Sequence, residues 1–466
     1  MKKYLPCFLF YSNYFFMVDS HIGDCFTISL FDVLLPTIDT TSDISLAISW
    51  YIQGHTAYAT AMAVPPMINY CFAWYKWWSN EKISRMKWSW IFVLTNVYHQ
   101  MNAMKLMGAF WNNDKLDVKK KQKLLNEVSS LEPYLESAPS VMILSMIWLS
   151  ALTGNGIEPF GGMVKDHGAG YFNCSNASTY VSEWAQMKPW KRKQIHVDNF
   201  CAVFQGAGGL PWFFFTFCIS LLSSSFGITK FLQNGPCAIL SNNGLLGGLL
   251  NWKFILVFIS VMFAILAKCV FAVLVVGAAF GDNYSLTISG LLFFGVNVLP
   301  HILSSIFAIQ LVTGCSRKMY QIILNYPALV LLPAFTYFSA GPKKLPRCRR
   351  GENGPTVSHI ILSTKWTTVN IIMTVMLYGC TISLLLMAYP KNISGYWIQF
   401  AGNRYNGYET YFKIVFAPIL IISLIPTLIF LLLKLSCCLC PSKNGSCCCS
   451  AECLKFKDAY IDESQY

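Results

Sequence analysis

The chain has 466 residues, 55% of them hydrophobic and only 12% charged. Soluble domains carry about a quarter charged residues, so this composition excludes a soluble globular protein and predicts an all-α polytopic membrane protein. The net charge of +13 is scattered between apolar runs, which fits cytoplasmic loops and argues against a nucleic-acid surface.

Residues 1–25 read as a lead-in to the membrane domain. Lys2 and Lys3 precede an apolar stretch to Val18 that resembles a signal-peptide core, but no small-residue cleavage site follows. Met17 opens a shorter lead-in, so residues 1–16 are read as an extension. A single transmembrane domain is expected over 26–434, followed by a Cys-rich cytoplasmic tail over 435–466.

The first span, 26–52, contains Asp32, Asp39 and Asp43. One carboxylate at the bilayer centre costs about 2.5–3.5 kcal/mol on insertion scales. Asp39 and Asp43 are four apart and share a helical face; Leu34, Ile44 and Ile48 occupy the opposite one. Such a face either lines a polar route through the membrane or is paired internally. Asp32 and Asp24 lie nearer the cytoplasmic mouth of the same helix.

Further spans are expected at 57–78, 137–154, 199–228, 251–280, 286–312, 366–389 and 412–434, eight in all with the first. Two less regular runs, 88–110 and 320–340, turn polar or contain Pro327 and Pro333. The segment Lys76–Lys87, the pair Arg317-Lys318 and the loop 341–365 are basic and should be cytoplasmic. Glycosylation sequons at Asn173, Asn176, Asn283 and Asn392 should face outside. Both constraints hold with eight spans and a cytoplasmic N-terminus, provided that 88–110 and 320–340 are re-entrant half-membrane helices. The basic run Lys188–Lys193, in the long extracellular loop 155–197, is the exception.

Residues 114–136 read as a charged cytoplasmic helix. Walker, HExxH and GxSxG motifs are absent, no nucleophile–base pair stands out, and neither an enzyme nor a cofactor or metal site is expected. The tail carries Cys437, Cys438, Cys440, Cys447, Cys448, Cys449 and Cys453. Juxtamembrane cysteines suit S-palmitoylation; a metal site is the rival, but the tail has no His.

Several segments together resemble the XK-related membrane protein family. LLPTIDTTSDISLAISW, with Asp39 and Asp43, is similar to that family's first span, and EPYLESAPS (132–140) to its ExxLE(S/T)APQ element, with Ser140 in place of Gln. Glu132 and Glu136 match the two acids of that element. SSSFGITKF (223–231) has Thr229-Lys230 where Trp is usual, and Lys268 stands where Arg is usual. SAGPKK (339–344) and STKWTTVN (363–370) complete the series. The long 155–197 loop departs from the family, as does a tail without DxxD; Asp114–Asp117 in the cytoplasmic helix is the sole match to that caspase pattern.

The resemblance implies eight spans with two re-entrant helices in the plasma membrane. It also implies phospholipid scrambling: energy-independent movement of lipids between leaflets, exposing phosphatidylserine, as in apoptotic-cell clearance. The expected partners are membrane phospholipids and an accessory membrane protein. Asp39, Asp43, Glu132 and Glu136 would then meet headgroup ammonium groups, and Lys268 a phosphate or one of the acids. Glu136 also fits a helix-start acid facing the macrodipole. An ion-coupled secondary transporter and a non-catalytic membrane subunit are the other expectations.

Overall fold

The computed structural model describes residues 25–53, 56–80, 97–112, 121, 125, 131–153, 209–234, 252–279, 294–313, 327–342, 360–362, 364–388, 397–400, 403–406 and 412–439. Asp24, the four sequons, the 155–197 loop and the tail from Cys440 on, with Cys447, Cys448, Cys449 and Cys453, lie outside these residues. Cys437 and Cys438 fall in the last helical turns.

The described chain is helical apart from two short ladders and the irregular stretch 336–339. In order, the helices are α1 (Leu35–Gln53), α2 (Thr56–Asn80), α3 (Val97–Trp111), α4 (Ala138–Thr153) and α5 (Gly209–Asn234). They continue with α6 (Trp252–Ala279), α7 (Leu299–Thr313), α8 (Pro327–Phe335), α9 (Thr364–Ala388) and α10 (Ala417–Leu439). Strands β1 (Ala340–Pro342) and β2 (Ile360–Leu362) pair antiparallel, Gly341 opposite Ile361; β3 (Trp397–Phe400) pairs with β4 (Asn403–Asn406).

Among the described residues, three stretches are long and apolar enough to cross a membrane: Pro211–Leu232, Phe254–Val275 and Thr364–Leu384. At 1.5 Å per residue the 28 residues of α6 run about 42 Å, against a hydrocarbon core of about 30 Å. Helix α1 falls short of that hydropathy because it carries acids. It is amphipathic in the inverted sense of a membrane protein: Ile44 and Ile48 are exposed, while Asp39 and Asp43 are fully buried. That distribution is the reverse of a soluble helix's and fits an apolar surround.

Helix α6 is the central post, packed against α4, α5, α8, α9 and α10. Its buried Val257, Val261, Ile265, Phe271 and Val275 join one large core with Tyr134, Phe231, Phe335 and Phe416. Phe271 stacks on Tyr378 of α9 at 4.0 Å. A second core at one end of α1, α2 and α4 gathers Trp50, Tyr58, Met62 and Ile147.

The run 320–340 holds no spanning helix among its described residues. Helix α8 has nine residues, about 13 Å, too short to cross, and eight of the nine are buried. Beyond it the chain is irregular, and α9 satisfies its backbone. Asn370 Nδ2 donates to the carbonyls of Thr336 at 3.1 Å and Tyr337 at 3.0 Å, and the Ser339 N–H donates to Thr367 Oγ1 at 3.1 Å. Buried irregular backbone needs such partners. Of the 88–110 run, only the part from 97, helix α3, is described.

Candidate functional site

Among the described residues, four short π-helical segments lead into helices, at Ser29–Leu34, Pro133–Ser137, Phe294–Val298 and Phe412–Phe416. The second decides the site. In an α-helix, residues five apart are turned by about 140° from each other. The π turn brings Glu132 and Ser137 onto one face, and the Ser137 hydroxyl lies 2.7 Å from Glu132 Oε1.

That face meets α1. Ser137 Oγ also lies 2.7 Å from Asp39 Oδ2, and Ser140, one turn on, donates to Asp43 Oδ2 at 2.6 Å. Helix α5 closes the third side. Ser220 Oγ is 2.5 Å from Asp39 Oδ1 and 3.5 Å from Asp43 Oδ1, and Ser223 donates to Glu132 Oε1 at 2.7 Å. Glu136 is held separately, by Thr40 Oγ1 at 2.5 Å and by Asn69 Nδ2 of α2 at 2.6 Å.

Asp39, Asp43, Glu132 and Glu136 therefore form one cluster at the junction of α1, α2, α4 and α5. None is more than 4% exposed. Each hydroxyl carries one proton, so Ser137 cannot donate to Asp39 and Glu132 at once. Ser220 is divided in the same way between Asp39 and Asp43. Among the described residues no lysine or arginine bonds to these four carboxyls. The cluster is buried: among the described residues the acids' oxygens meet small hydroxyls and the Asn69 amide.

The close approach of α5 depends on Gly227. A β-carbon there would lie 2.1 Å from Pro133 Cγ, an impossible contact. Glycine lets α5 lie directly on the π turn.

Asp32 stands apart from this cluster. Spacing makes it a weaker path residue, yet it is 2% exposed and forms a salt bridge with Lys230 of α5. Nothing in the spacing of the sequence pairs it with Lys230. Phe31 stacks on Phe226 at 4.0 Å beside this pair.

Lys268 does not join the acid cluster. It is fully buried on α6, its Nζ has no hydrogen-bond partner among the described residues, and it lies 6.0 Å from the centre of the Tyr378 ring. His301 of α7 lies on the same side, with its Nε2 3.5 Å from Thr374 Oγ1. Asn370, Thr374 and Tyr378 recur every four residues and form one polar face of α9 toward this centre.

Sequence reasoning singles out the acids and misses what holds them: Thr40, Asn69, Ser137, Ser140, Ser220 and Ser223. A signal is present in the Ser137/Ser140 and Ser220/Ser223 pairs, each three apart and so on one helical face.

Comparison with protein-family models, curated proteins and solved structures found no match.

Proposed function

We propose that the chain is a phospholipid scramblase of the XK-related type, acting in the plasma membrane with eight spans and two re-entrant helices. One observation carries the reading. Segments that resemble the family in sequence, around Asp39–Asp43, Glu132–Ser140 and Ser223–Phe231, meet through direct hydrogen bonds in a single polar cluster. Polar groups at membrane depth are costly and collect where polar cargo must pass.

The buried cluster is the resting form of the route. A lipid crossing the bilayer must carry its headgroup past hydrocarbon, and an unpaired charge there is prohibitive. The ammonium of an ethanolamine or serine headgroup offers donors that replace those of Ser137, Ser140 and Ser220. The acids thus exchange one set of hydrogen bonds for another and remain satisfied. Lys268, without a hydrogen-bond partner among the described residues, is the cation available to the phosphate.

The deciding experiment reconstitutes the purified chain in liposomes with a fluorescent phospholipid and adds dithionite. Scrambling lowers the protected fraction below the roughly one-half that an intact bilayer retains. A fraction at the empty-liposome level would overturn the proposal. An ion-coupled transporter is the second reading, favoured by four buried carboxyls that no lysine or arginine bonds among the described residues. It predicts solute uptake that needs an imposed ion gradient and no movement of the fluorescent lipid.

A further inference from the structure

Polar side chains without partners gather between α6, α7 and α9. Lys268 Nζ, His301 Nδ1, Asn370 Oδ1 and the Tyr378 hydroxyl have no hydrogen-bond partner among the described residues, and none of the four residues is more than 3% exposed. Lys268 and Phe271, one turn apart, share a face of α6, and Phe271 stacks on Tyr378 of α9 there. The Tyr378 ring lies 6.0 Å from Lys268 Nζ. His301 is within electrostatic reach of Lys268 and sits beside the Asn370 side chain. The described acids are engaged elsewhere: Asp32 by Lys230, and Asp39, Asp43, Glu132 and Glu136 by hydroxyls and Asn69.

We propose that this centre binds one small monovalent anion, of the size and charge of chloride, against Lys268. The donor inventory fixes the sign of the occupant. Asn370 Nδ2 is spent on the Thr336 and Tyr337 carbonyls, so Oδ1 remains as an acceptor, and the imidazole beside it can supply a proton. What is left is the ammonium of Lys268, the hydroxyl of Tyr378 and a positive charge, with no acceptor among the described residues to answer them. Water would accept some of these protons but leave the charge uncompensated, and a buried unpaired charge is the costlier fault. Burial fixes the size. Lys268 is 0% exposed, so a lipid phosphate, which brings its glycerol and two chains, reaches it only when helices separate. An atomic ion is held whole inside the bundle. The inference goes beyond the scrambling proposal and needs only the folded chain; a headgroup phosphate in transit would take the ion's place at the same lysine.

The test melts the full chain in detergent while sodium gluconate is replaced by sodium chloride at constant ionic strength. An ion that binds only the folded state raises Tm by mass action, so Tm should climb saturably, by about 2 °C or more once chloride is about tenfold above its Kd. Lys268→Met should remove the climb without melting below the chloride-free parent, and its curve cancels the general effect of salt. Tyr378→Phe keeps the ring stacked on Phe271 and serves if the first variant fails to fold; it should move the climb to about tenfold higher chloride. A parent that melts alike in both salts overturns the site in favour of water or an uncharged lysine. A climb that survives both substitutions overturns it as binding elsewhere. Stabilisation by inorganic phosphate but not by chloride overturns it in favour of a site for the headgroup phosphate. The liposome assay does not enter these outcomes, so the anion site and the scrambling proposal fail separately.

Discussion

Ser140 of α4 donates a 2.6 Å hydrogen bond to Asp43 of α1, and the equivalent approach of Ser137 to Asp39, one turn earlier, measures 2.7 Å. Two short elements almost a hundred residues apart are thus joined in register, acid to hydroxyl, over a full turn. The register makes a polar seam between α1, whose outer face is greasy, and α4, whose described residues are buried or half-buried.

Asparagine preserves the shape of that seam and removes its ionisable groups. Asp39→Asn combined with Asp43→Asn should slow lipid scrambling in the dithionite assay by about tenfold or more, a barrier increase of at least about 1.4 kcal/mol. Surface delivery and melting behaviour should stay near those of the parent. An unaltered rate would assign the two acids a structural role.

The Asp32–Lys230 pair is buried on both sides. Removing one partner leaves the other charge unpaired, which costs about 3–5 kcal/mol in such settings. Asp32→Asn and Lys230→Met should each lower thermal stability sharply in detergent. The double variant should recover most of the loss. Single variants that melt like the parent would show that the pair is open to water.

Gly227→Ala places a methyl group inside Pro133. Helix α5 must then move off the π turn, and overpacking of this kind costs about 1–3 kcal/mol. The displacement also pulls Ser223 from Glu132, so stability and scrambling should fall together. Gly379, with open space around its β-carbon position, is the control: Gly379→Ala should be neutral or stabilising.

Lys268 is fully buried without a hydrogen-bond partner among the described residues. An unsatisfied buried cation is a liability to the fold. Lys268→Met, similar in length and apolar, should therefore leave stability unchanged or raise it. If scrambling falls in the same variant, the lysine is kept for headgroup transit. A large drop in melting temperature would instead reveal an anionic partner in the folded protein.

Much of the architecture is legible in the amino-acid sequence. Local composition and hydropathy determine the membrane setting, the positions of the long helices and the acids of the first span. These depend on the cost of placing each side chain in hydrocarbon, which is summed residue by residue. The short, proline-containing run before residue 340 is also visible as broken helix, because interrupted backbone has a local cause. Which groups answer which is decided by tertiary structure alone. Serine and threonine are common in spans and carry no mark of their partners. Nothing local says that Ser220 turns to Asp39, that Asn69 reaches Glu136, or that Asp32 belongs to Lys230, nearly two hundred residues away. The π turn at Pro133–Ser137 adds an offset that regular helical spacing does not contain, and it puts Glu132 beside Ser137. Hydrocarbon selects for pairing but does not specify the pair; the packing of α5 on the π turn through Gly227 makes that choice.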